Sequence, residues 1–133
     1  LGLSGGIDSA VVTALAVDAL GPSNVMTFAL PGPHSAPLSL ELAAQMAKNL
    51  GVEFKSIDIN PSYKVAAEVV RDQLSVKEFG ITHENLQSRL RGLYLMAYAN
   101  ATNSLLLTTG NKSEYATGYA TLYGDMCGGL API

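Results

Sequence analysis

The first residues able to do chemistry are Ser4-Gly5-Gly6-Ile7-Asp8-Ser9. They follow the apolar Leu1-Gly2-Leu3 and open an Ala-rich periodic stretch, so they lie between a strand end and a helix N-terminus. Paired glycines allow close backbone approach and unusual dihedrals. Free N–H groups and the helix dipole at such a position favour a phosphate. The plainer alternative is a tight turn with a serine or aspartate cap; three capping-competent residues within six positions are more than a cap needs. Asp8 would repel a phosphate held by its own loop unless a cation lay between them, and Mg²⁺ bridging carboxylate and phosphate oxygens resolves this. The Gly-Lys-Ser/Thr ending of a Walker A loop is absent, which argues against γ-phosphate transfer by that machinery.

Three later segments carry further candidates. Asn85 and Arg89, within Asn85-Leu86-Gln87-Ser88-Arg89-Leu90-Arg91-Gly92, stand one helical turn apart and could hold a phosphate or ribose; a solvated helix face fits the same spacing. Thr108-Thr109-Gly110-Asn111-Lys112-Ser113-Glu114 follows an apolar strand, so its loop faces the same crevice as the first loop. There Thr109 could hydrogen-bond a nucleotide and Glu114 could approach a metal held by Asp8, while Asn111 with Glu114 also has the pattern of a capping box. Tyr119, Tyr123 and Asp125 border a Gly-rich segment, where an aromatic side chain could stack on a planar ring or simply be half-buried core. Cys127 has no histidine near it in sequence and reads as a small apolar residue. His34 and His83 are too isolated for a metal site.

The elements that must position these residues alternate. Helices are expected over residues 7–20, 39–50, 61–76 and 84–101, with a last one opening at 111–120. Strands are expected at residues 1–3, 25–30, 52–59 and 105–108, with loops at 31–37 and 124–129 and a connection at 77–82. The helix over 7–20 is apolar almost all round, as a buried helix would be. Residues 25–30 (VMTFAL) are near-continuously apolar, the signature of a parallel strand covered on both faces. Strands separated by helices mean βαβ units, hence an α/β fold with a Rossmann-like parallel sheet flanked by helices.

Composition narrows the function classes. Of 133 residues, 48% are hydrophobic and 14% charged, against about 25% charged in ordinary domains. A net charge of −3 with eight Lys plus Arg argues against nucleic acid or an anionic membrane as partner. One cysteine excludes an internal disulfide and fits a reducing, cytoplasmic setting. No apolar run approaches the roughly 18 residues of a membrane span. The abrupt ends suggest a piece of a longer protein, with apolar stretches such as residues 93–99 packing against elements outside it and against a second subunit.

The SGGIDS loop resembles that of the PP-loop ATP pyrophosphatases, whose fold is adenine nucleotide alpha hydrolase-like and which split ATP between its α- and β-phosphates. SGGIDS, NLQSRLRG, LLTTGNKSE and GYATLYGDM in this order resemble the NAD synthetase family, over nearly the whole chain. The resemblance implies ATP-dependent amidation of deamido-NAD, with ammonia as the nitrogen donor. It implies that Ser4, Gly5, Gly6, Ile7, Asp8, Ser9 and Thr109 bind ATP and that Asp8 and Glu114 act in catalysis and hold Mg²⁺. Asn85, Arg89, Glu114, Tyr119 and Asp125 would bind deamido-NAD. A homo-oligomer is also implied.

Leu122 stands where ammonia-dependent members typically carry Lys before Tyr-Gly-Asp, so the chain is more similar to the synthetase domain of glutamine-dependent members, whose upstream glutaminase is not in this sequence. After the second strand the family usually has a Pro-Ser-Arg-Tyr-type segment; here it reads Pro31-Gly32-Pro33-His34-Ser35-Ala36-Pro37, without the Arg. Alternatives are another PP-loop enzyme, GMP synthetase-like or tRNA-modifying, and a nucleotide-binding domain that has lost its chemistry.

Overall fold

A computed structural model describes residues 1–76 and 80–133. Lys77, Glu78 and Phe79, in the expected 77–82 connection, lie outside the described residues. The order is α1 (Ile7–Leu20), a 3₁₀ turn (Pro22–Asn24), β1 (Met26–Ala29), α2 (Pro37–Leu50), β2 (Glu53–Ser56), α3 (Asn60–Asp72), α4 (Ile81–Thr102) and α5 (Lys112–Thr117).

The parallel sheet begins with β1 beside β2, in register from Met26 opposite Glu53 to Ala29 opposite Ser56. Leu1-Gly2-Leu3 runs parallel to β1 through Phe28 N–H to Leu1 O at 3.0 Å and Leu3 N–H to Phe28 O at 2.8 Å. The expected strand at 105–108 is reduced to one parallel bridge, Leu107 with Leu130. Its partner is the tail: Thr108 N–H donates to Leu130 O and Gly129 N–H to Leu106 O. Sequence periodicity could not reveal that pairing, because residues 128–130 carry almost no side-chain pattern.

Alternation along β1 explains its apolar run. Val25 and Ala29 join a core with Leu1, Leu3, Val12, Ala16, Ala43, Ala47 and Val52, roofed by α1 and α2. Phe28 and Leu30 point into a second core with Ile59, against which Leu90, Tyr94, Leu95 and Tyr98 of α4 pack. Helices thus cover both faces, which is the α/β architecture expected of a parallel sheet. Tyr98 meets Phe28 edge-on, with ring centroids 4.7 Å apart.

Several expectations need correction. Residues 93–99 do not await an outside partner as a whole: Tyr94, Leu95 and Tyr98 pack on Phe28, Leu30 and Ile59 of this chain and Ala99 is buried, leaving Leu93 exposed. Helices α2 and α4 open at Pro37 and Ile81, two and three residues earlier than expected. Helix α1 is not buried all round: Ser9, Val12, Thr13 and Ala16 face inward, but Ile7, Val11 and Leu15 form an exposed stripe at four-residue spacing. Small residues on the inner face allow close approach to the sheet, whereas nothing among the described residues covers the outer stripe. Helix α3 ends at Asp72 rather than at residue 76. The chain turns away with Ser75 at φ 59°, in the left-handed region, and Val76 N–H reaching Val70 O.

Candidate active site

The loop between Leu3 and α1 is braced from within. Ser9 Oγ accepts from Ser4 N–H at 3.2 Å and donates to Gly6 O at 3.0 Å; Ser4 Oγ accepts from Gly6 N–H and lies 3.1 Å from Ser9 Oγ. The serines therefore shape the loop instead of capping the helix. Gly6 is the N-cap, and no side chain caps α1. Its first-turn N–H groups, with Asp8 among them, meet the condition for anion binding at a helix start. Gly5 has φ 84°, and a Cβ there would lie 2.4 Å from Ser39 O, so the loop rests directly on the first turn of α2.

This loop forms one wall of a cleft of about 800 Å³. Ser4, Gly6, Asp8 and Ser9 line it, as do Thr109 and Glu114 from the second loop. Asn85, Tyr119 and Asp125 complete the set of expected residues brought together. Gly5, Ile7 and Arg89 do not line the cleft: Gly5 faces Ser39, Ile7 is 75% exposed, and Arg89 Nε donates to Leu122 O at 3.2 Å. Tyr119 is 81% exposed, as is Tyr123, so neither is half-buried core.

Glu114 closes a capping box. Its carboxylate accepts from Asn111 N–H at 3.0 Å, while Asn111 Oδ1 accepts from Glu114 N–H at 2.9 Å. The cap and the cleft-facing position coexist, because a carboxylate can accept several hydrogen bonds. The preceding turn is tight: a Cβ on Gly110 would lie 2.7 Å from the Tyr115 hydroxyl, which in turn is 3.2 Å from Thr108 Oγ1.

One stripe of α4, at residues 85, 88, 89 and 92, carries the segment 121–127. Asn85 Oδ1 accepts from the Thr121 hydroxyl at 2.9 Å, and Ser88 Oγ accepts from Asp125 N–H at 2.9 Å. Asp125 in turn accepts from Thr121 N–H at 2.6 Å. Gly92 leaves room for this segment, since a Cβ there would lie 2.9 Å from Tyr123 O and 3.2 Å from Cys127 Cβ. Tyr123 itself sits at φ 63°, in the left-handed region. Cys127 also lines the cleft.

Sequence reasoning missed Ser88, Arg91 and Gly92. A glycine inside a helix costs about 1 kcal/mol relative to alanine, so Gly92 was the available signal of a close approach. Nothing in the spacing distinguished Arg91, which lines the cleft, from Arg89, which does not.

The cleft's chemistry suits a cation shared with its ligand. Among the described residues no three His, Cys, Asp or Glu side chains form a group able to hold a metal by themselves. Asp8 and Glu114 both line the cleft, and Mg²⁺ is commonly held by one or two carboxylates together with ligand phosphates and water. The residues present fit that arrangement.

Known proteins share this architecture. The glutamine-dependent NAD(+) synthetase of Xanthomonas campestris pv. campestris is 53% identical over all 133 residues, which correspond to 24% of that protein. The structure of glutamine-dependent NAD+ synthetase from Acinetobacter baumannii, in complex with adenosine diphosphate, matches 98% of this chain at a TM-score of 0.94 and 43% identity, covering 25% of that chain. The NH3-dependent NAD synthetase from Campylobacter jejuni matches 99% at a TM-score of 0.88 and 36% identity, covering 55% of that chain. The chain thus spans about a quarter of the length of the curated relatives it matches. With the NAD synthase family model matching residues 1–133, from the serine–glycine loop to the paired tail, the chain belongs to the NAD synthase family.

Proposed function

We propose that the full-length protein amidates deamido-NAD to NAD at the expense of ATP, and that this chain supplies part of its synthetase domain. The observation that carries this reading is the convergence, on one cleft, of the Ser4–Ser9 loop, the Thr109–Glu114 turn and the polar stripe of α4. A carboxylate is a poor acyl donor because oxide is a poor leaving group. In the proposed reaction a nicotinate carboxylate oxygen attacks the α-phosphorus of ATP, and the bond to the β-phosphate breaks to release pyrophosphate. Ammonia then attacks the acyl carbon; AMP departs with the carboxylate oxygen, and the ammonium intermediate loses a proton to leave the amide.

The chain's own part is to hold two anionic nucleotides in line. Backbone N–H groups of Gly5, Ile7, Asp8 and Ser9 receive phosphate, Thr109 meets ATP from the strand end, and Asp8 and Glu114 would hold Mg²⁺. When bound, Mg²⁺ would neutralise phosphate charge. Asn85, Tyr119 and Asp125 are assigned to deamido-NAD, while Arg89, bonded to the Leu122 carbonyl outside the cleft, is not. For Asn85 and Asp125 this includes shaping the 121–127 segment that borders it. The similarity to glutamine-dependent relatives supports ammonia derived from glutamine by a domain elsewhere in the full-length protein. A cytoplasmic homo-oligomer completes the proposal; among the described residues no helix is long and apolar enough to cross a membrane.

The test is pyrophosphate and NAD formation by the full-length protein given ATP, Mg²⁺, deamido-NAD and either glutamine or ammonia. Stoichiometric release of both is the expected result. ATP turnover with no NAD, or with a different acceptor preferred over deamido-NAD, would overturn the reading.

A further inference from the structure

Charge in the cleft is lopsided. Asp8, Glu84, Glu114 and Asp125 line it, and among the described lining residues Arg91 is the single Lys or Arg. An anionic ligand entering such a cleft needs a fixed positive group as well as any shared cation.

Arg91 is held ready by neutral partners. Its Nε donates to Leu30 O at 3.0 Å, and Nη2 approaches Ser35 Oγ at 3.4 Å. Ser35 Oγ also accepts from Gly32 N–H at 2.9 Å, so the guanidinium is tied to the loop that follows β1. The ion pairs among the described residues, Lys55 with Glu53 and Arg71 with Asp72, do not involve it. Burial lowers the Arg91 pKa from its ordinary value, the mark of a charge withdrawn from water without a compensating partner. A guanidinium carries five N–H donors, and the two neutral contacts leave three of them for a ligand.

We propose that Arg91 is a further binding residue of this cleft, whose ligand is a phosphate group of the bound nucleotide. The proposal rests on the synthetase reading for the identity of the nucleotide, and on the cleft's geometry for the residue. The hydrogen bonds to Leu30 O and Ser35 Oγ set the guanidinium beside the loop that follows β1, in the cleft wall.

The experiment uses the full-length protein and its Arg91→Gln and Arg91→Lys variants. Binding of ATP, deamido-NAD and adenosine is measured calorimetrically at low and high salt. Arg91→Gln should weaken ATP or deamido-NAD about tenfold, equivalent to about 1.4 kcal/mol, and flatten its salt dependence. The ligand that responds identifies which phosphate is held. Adenosine, which has no phosphate, should bind all three proteins alike, and Arg91→Lys should recover part of the lost affinity.

Equal weakening of all three ligands by Arg91→Gln would reduce Arg91 to a strut for the loop and overturn the proposal. Unchanged affinity for all three would overturn it too. The synthetase reading fails separately, on absent NAD formation by the unaltered protein, while Arg91-dependent ATP binding remains measurable in the same samples.

Discussion

Replacing Gly5 by alanine tests whether the geometry of the Ser4–Ser9 loop is built on the α2 backbone. Two costs add. The left-handed conformation at φ 84° disfavours any side chain, by roughly 1–2 kcal/mol. The new Cβ would also lie 2.4 Å from Ser39 O and 3.1 Å from Ser39 Cα, inside the 3.4 Å where ordinary contact begins. Ser39 O is backbone in the first turn of α2 and cannot swing aside; overpacking of this kind costs about 1–3 kcal/mol.

The internal control sits at the other end of the same helix. Gly51 has φ 69°, and a Cβ added there would meet nothing within 4 Å, so Gly51→Ala carries the conformational cost alone. In the full-length protein, denaturant titration with hydrogen exchange resolved to α1 and α2 should show Gly5→Ala weaker than Gly51→Ala by about 1–3 kcal/mol. Its ATP affinity should fall while that of Gly51→Ala holds. Equal stabilities for the two variants would refute the claim that the loop leans on Ser39, and the expected loss of ATP binding would lose its structural cause.

Other outcomes separate structural from chemical roles. Glu114→Gln keeps an oxygen to accept from Asn111 N–H, so its stability should change little while pyrophosphate release falls about a hundredfold or more; Asn111→Ala should show the loss of the cap, about 1 kcal/mol. Asp8→Asn should raise the Mg²⁺ concentration needed for half-maximal activity, measured by metal titration of the full-length enzyme. Gly92→Ala places a methyl 2.9 Å from Tyr123 O; it should raise the KM for deamido-NAD and speed reaction of Cys127 with a thiol reagent. Ser88→Ala removes the acceptor for Asp125 N–H, a loss of about 1 kcal/mol, and should raise the same KM several-fold with kcat nearly unchanged.

The elements that announced themselves in sequence are those whose pattern is local. The bounds of α1 were legible because Gly6 and Gly21 punctuate both ends. The two-faced burial of β1 was legible because alternate apolar residues meet two different cores. The Asn111–Glu114 cap was legible because both of its hydrogen bonds close within four residues. By contrast, the exposed stripe of α1 was hidden by composition, since an apolar residue looks the same whether a neighbour covers it or not.

Sequence alone therefore determined the alternating α/β order, the glycine loop at a helix start and the types of residue gathered around it. Only the tertiary structure decided which of them share the cleft. It turned Ile7 outward, gave Arg89 to the Leu122 carbonyl and brought Arg91 to the wall instead. It also joined residues 105–108 to the tail across more than twenty positions. The physical reason is common to all of these: helical phase and strand partnership are set by which surfaces meet, and that information is shared between segments far apart in the chain.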